Sequence, residues 1–153
     1  MGIALSLHLL AAVIWVGGMF FAYMALRPVA ATELEPPQRL RVWAGVLGKF
    51  FPWVLMAITV LLATGFWMVL AVLGGFAAAG LHVQLMLWLG LVMMLLFLHV
   101  YFAPFKRLKL AVAAADWPAG AGKLAQIRLL VGINLLLGLL VVAIASGGRY
   151  LLS

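Results

Sequence analysis

Four long apolar runs alternate with short joints along the 153 residues, over positions 3–26, 46–73, 81–103 and 126–146. Each is close to the roughly 20 residues that carry an α-helix through the hydrocarbon core of a bilayer. The pattern predicts an all-α integral membrane protein, a four-helix bundle running up-down-up-down, with residues 1–153 as one transmembrane domain. The first run ends at Arg27-Pro28, where the proline is expected to stop the helix and the arginine to snorkel. Positions 32–41 hold Glu33, Glu35 and Pro36-Pro37 and read as a polar turn. Gly45, Gly48 and Pro52 make the start of the second run ragged, which predicts an interfacial stretch near 42–50. Positions 74–80 join the second and third runs without a charge. The third run leaves through Pro104 into Lys106, Arg107 and Lys109, and residues 116–120 form a turn before the fourth.

Composition agrees with that pattern. The chain is 69% hydrophobic and 8% charged, against roughly 45–50% and about 25% in soluble domains. It has no cysteine, which excludes disulfides, thiolate metal sites and covalent c-type haem. The net charge of +7 is a topology signal before it is a nucleic-acid signal, so no nucleic-acid partner is expected. The first apolar run is longer than the roughly 7–15 residues of a signal-peptide core, and no positive charge precedes it. It is expected to be a span. Arg27, Arg39, Arg41 and Lys49 lie between spans one and two; Lys106, Arg107, Lys109, Lys123 and Arg128 lie between spans three and four. Only Arg149 lies on the other side. The positive-inside rule then puts both termini outside, in the periplasm of a bacterial-type inner (plasma) membrane.

Three histidines interrupt the apolar pattern. His8 lies about one turn into span one and His82 opens span three, so both are expected in the outer half of the membrane at matched depth. His99, seventeen residues past His82, lies roughly 25 Å deeper and cannot join them. At helical spacing His8 shares a face with Ala11, Ala12, Trp15, Gly18 and Ala22, small apart from the tryptophan. Such a strip admits another helix, or a flat ligand held by the imidazole. All three acids, Glu33, Glu35 and Asp116, are in the inner loops. A divalent ion on two neutral imidazoles would therefore keep its charge uncompensated in a low dielectric. Haem carries its own negative charge, and Cu(I) is monovalent and accepts thioethers, which makes Met86, one turn after His82, a candidate ligand. Arg149 and Tyr150, on the same outer side, are placed to meet haem propionates. Asn134, near the middle of span four, should point inward. Met93, Gln84, Thr59 and Thr64 read as packing or structural residues, and Arg128 as a snorkelling anchor.

At His8-Leu-Leu, Trp15-x-Gly17-Gly18, Thr64-Gly65 and His82 the chain resembles the CopD family, the membrane domain named for copper resistance. It is more distantly similar to HemJ-type protoporphyrinogen oxidases, four-helix membrane proteins that carry b haem, at His8, Trp15, Gly18, Phe20 and His82. It departs from the HemJ pattern where Gln84 stands in place of a lysine, and where no arginine follows Trp15 before Arg27. His99 also falls about a turn later than the second third-span histidine of those proteins. These departures count against protoporphyrinogen oxidation and leave ligand binding by His8 and His82 intact.

Three readings follow. The first is a haem b redox protein with His8 and His82 as axial ligands and Trp15, Gly18 and Arg149 around the macrocycle. The second is copper capture by His8, His82 and Met86 with passage inward. The third is a structural subunit whose histidines bind nothing. Expected partners are the lipid bilayer, a second copy in a homodimer, and a quinone or redox partner. For His99 and the Lys106, Arg107 and Lys109 cluster the expected partner is anionic lipid headgroups.

Overall fold

A computed structural model describes residues 1–151, the side chains of Arg149 and Leu151 excepted. Seven helical segments make up four long rods. The first rod is α1 (Gly2–Phe21), a wider π-helical turn (Ala22–Leu26) and α2 (Arg27–Glu33). The second is α3 (Pro36–Ala71), and the third is α4 (Leu81–Phe102) followed by α5 (Pro104–Ala113). The fourth is α6 (Trp117–Leu151). All four rods are long and apolar enough to cross a membrane. At 1.5 Å per residue they run to roughly 50 Å, well past a hydrocarbon core of about 30 Å.

The helices therefore extend further than the apolar runs, and most of the extra length is at the basic end. Pro28 does not stop the first helix. Its ring would collide with the carbonyl one turn back, at Met24, and it has no N–H to donate there. The π turn relieves this by widening the coil, with the Arg27 N–H bonded to the carbonyl of Ala22, five residues earlier. The polar turn expected over 32–41 shrinks to Leu34 and Glu35, because Pro36 and Pro37 can open a helix as readily as they end one. Arg39 closes that corner. Its guanidinium donates to the carbonyls of Ala30 (3.2 Å), Ala31 (2.9 Å) and Leu34 (3.0 Å), at the end of α2 where helix carbonyls run short of intrahelical donors.

At the other corner of the basic end the backbone turns at Ala103 and restarts at Pro104. Phe105, Leu108 and Ala111 of α5 are buried while Lys106, Arg107 and Lys109 are exposed, so the basic cluster is on an amphipathic helix, not a loop. Asp116 caps α6 by accepting the Ala119 N–H at 3.3 Å. At the end away from the basic residues, Gly74 and Gly75 take positive φ (79° and 103°) between α3 and α4, a conformation glycine adopts without a Cβ penalty.

In the bundle α1 packs along α3, and α4 along α6; α6 also meets α1 and α3 and joins the two pairs. The core is aromatic. Phe51 meets Phe97 at 5.1 Å and Phe105 at 4.7 Å, both edge to face, and Trp15 meets Phe97 at 6.3 Å in the same way. Large apolar side chains such as Leu9, Trp88 and Leu136 face outward on the rods, as contact with lipid tails requires.

Candidate functional site

His8 is half-buried on the face of α1 that meets α3. Its Nδ1 lies 2.8 Å from the Thr64 hydroxyl oxygen. That hydroxyl donates its single proton to the Val60 carbonyl at 2.6 Å. The Thr64 oxygen is then an acceptor toward the ring, and Nδ1 of His8 carries the hydrogen. Nε2 is left with its lone pair. This is how ligating histidines are commonly held, one nitrogen bonded to a second group and the other open to the ion. Gly65, the next residue, leaves room for the ring: a methyl there would stand 3.3 Å from Cε1 of His8. Thr64, read from the chain as structural, is the hydrogen-bond partner of the candidate ligand. Its pairing with Gly65 in the quoted motif is the signal in the sequence.

His82 belongs to the other helix pair. Gly148 of α6 sits against it so closely that a methyl there would lie 2.8 Å from its Cβ. Met86 follows four residues later on the same face of α4 and is half-buried. Gln84 ties α4 to the preceding turn, donating to the carbonyls of Ala79 (3.1 Å) and Phe76 (3.4 Å).

Relative depth can be counted from Gly138, where a methyl would touch both Val16 (3.0 Å) and Met93 (3.1 Å). Going from that level away from the basic end, His8 stands roughly 12 Å away and His82 roughly 16 Å. The two differ in depth by about one helical turn. His8 rests on α3 and His82 on α6, and no hydrogen bond joins them. Among the described residues, no group of three or more His, Asp or Glu side chains is gathered to hold a metal.

Other expected site residues sit elsewhere. The room foreseen beside Gly18 for a macrocycle is filled by the Phe50 ring, which a methyl at Gly18 would strike. Trp15 is buried in the core against Phe97. His99 is exposed near the C-terminal, basic end of α4. The Arg149 side chain lies outside the described residues, and Tyr150 is exposed. Asn134 points inward as expected, with Nδ2 donating to the Met93 carbonyl at 3.2 Å, and its Oδ1 is buried without a partner.

Residues 44–147 match the family described as copper resistance protein D. The chain belongs to the CopD family. The match runs from early α3 to late α6 and takes in Thr64, Gly65, His82, Met86, His99 and Asn134, with His8, Trp15 and Gly18 preceding it. CopD membership makes this a membrane protein of the copper-resistance type. Neither curated proteins nor solved structures give a match. The HemJ-type likeness rests on the residues quoted from the sequence.

Proposed function

We propose that this CopD protein takes up copper as Cu(I), its cargo, at the outer end of the bundle, with Nε2 of His8 as the principal ligand. His82 and Met86 supply the remaining nitrogen and thioether donors from the second helix pair. The observation that carries the reading is the order of hydrogen bonds from His8 through Thr64 to Val60, which leaves Nε2 as a free lone pair. The absence of any Asp or Glu among the outer-end donors favours a monovalent ion, since neutral ligands cannot balance two charges out of water. The outer end is the periplasmic face of an inner membrane, on the nine-to-one distribution of Lys and Arg. Passage inward follows as the transport step.

The rival reading has haem b between His8 and His82. It is less well supported, because Phe50 fills the space at Gly18 and because the family match is to copper resistance. One preparation decides between them. The purified protein is expected to be colourless, to take up one Cu(I) in competition with bicinchoninate, and to lose that uptake in His8→Ala but not in His99→Ala. A Soret band that shifts on reduction, or Cu(I) uptake unchanged in His8→Ala, would overturn the proposal.

A further inference from the structure

At the basic end, opposite His8 and His82, α1, the π turn, α2, α3, α4 and α6 line a cavity of about 530 Å³. Its walls are largely apolar and aromatic, with Trp15, Trp43 and Phe51 among them. Three arginines line it: Arg27, Arg39 and Arg128. None of the three acidic residues does. Arg39 is committed to the carbonyls at the end of α2, so it is part of the wall. The Arg27 guanidinium lies over the Tyr23 ring at 4.7 Å, held at the cavity by a cation–π contact. Arg128 is exposed and has no carboxylate in the lining to answer it.

Asn134 also lines the cavity, six residues beyond Arg128 on α6 and so roughly 9 Å deeper. It is 4% exposed, its amide nitrogen is used by Met93, and its Oδ1 has no partner. A buried carbonyl oxygen left unpaired loses its hydration without replacement, so such groups usually have a partner. Asn134 borders the cavity, so an N–H or O–H on a molecule held there is a partner the protein itself does not supply.

From these three features we infer that the cavity binds an acidic amphiphile. Its carboxylate or phosphate head pairs with Arg27 and Arg128, its apolar body lies against the tryptophan and phenylalanine wall, and a hydroxyl or N–H on that body donates to Asn134. Arginine pairs with such oxyanions through two parallel hydrogen bonds, which favours it over lysine for this task. The inference is independent of the copper proposal, which concerns the other end of the molecule.

Trp15 and Trp43 in the wall provide the readout. With the full chain in phosphatidylcholine nanodiscs, 9,10-dibromostearate is expected to quench tryptophan fluorescence saturably. Arg27→Gln with Arg128→Gln should weaken that quenching at least tenfold, while Lys106→Gln with Lys109→Gln, outside the cavity, should not. If the double variant does not fold, Arg128→Gln alone, at an exposed position, tests the same pairing. 10-Hydroxystearate should displace the probe at several-fold lower concentration than stearate, and Asn134→Leu should erase that preference. Phosphatidylglycerol added to the disc distinguishes sources: displacement identifies a membrane phospholipid as the natural head, and no displacement a free amphiphile. Quenching that rises linearly with probe, survives loss of both arginines, or ignores the hydroxyl would overturn the inference.

Discussion

The Thr64 hydroxyl lies 2.8 Å from Nδ1 of His8 and 2.6 Å from the Val60 carbonyl, so one small side chain on α3 sets the tautomer of an imidazole on α1. Replacing it separates orientation from ligation. Thr64→Val keeps the shape, removes the acceptor, and is expected to weaken Cu(I) binding about 10–100-fold, the usual cost of losing a group that holds a ligand in place. Thr64→Ser should restore most of it. A competition titration on the two variants is the check, and equal affinity in both would remove Thr64 from the site.

Gly18 and Phe50 form a second close pair. Gly18→Ala drives a methyl into the ring, and the bundle is expected to lose about 1–3 kcal/mol to overpacking. Adding Phe50→Leu should recover most of that loss. Unfolding in mixed detergent, run as a double-mutant cycle, reads the coupling directly.

Arg39→Ala is expected to fray the corner between α2 and α3 without unfolding the bundle. Three carbonyls lose a charged donor, worth about 1–2 kcal/mol in this partly exposed setting. Hydrogen exchange at the Leu34 amide, which bonds to the Ala30 carbonyl, should quicken about tenfold. Unchanged protection there would mean that the cap is not what holds the corner.

Asn134→Leu is expected to change thermal stability by less than about 1 kcal/mol. Interhelical hydrogen bonds in membranes average only about 0.6 kcal/mol, and the same change removes the unpaired Oδ1. A loss of several kcal/mol would show that this side chain serves the fold and not the cavity.

The chain has no cysteine, so single-cysteine variants report topology cleanly. In intact cells an impermeant maleimide is expected to label Ala77→Cys, in the joint between α3 and α4, and to leave Ala114→Cys, between α5 and α6, unlabelled. The reverse would invert the proposed orientation.

The four spans were legible because lipid demands long apolar helices and leaves little freedom in their count. Their ends were not. Pro28, Pro36 and Pro104 read equally well as stops and as first-turn residues, and only the partners that Arg39 and the π turn supply decide between the two. Depth along the bundle was readable from residue counting, which brought His8 and His82 to within about a turn of each other. Azimuth was not, because the helices are apolar nearly all round. So the face of α1 that looked open at Gly18 turned out to hold a phenylalanine from α3. The Thr64-Gly65 pair could be quoted as a motif before its contact with His8 was visible. The cavity escaped notice because Arg27 and Arg128 each looked like an ordinary membrane anchor.

The π turn at Ala22–Leu26 also acts as a phase shift. One surplus residue in a coil of 3.6 per turn rotates everything after it by about 100°. Closing that turn to an ordinary α-helical coil at unchanged length would swing Arg27 and the whole of α2 around the axis together. The position of Arg27 in the cavity wall thus depends on a local widening of the coil, and a substitution that restored regular α-helix there would empty that wall of its cation without altering the arginine itself.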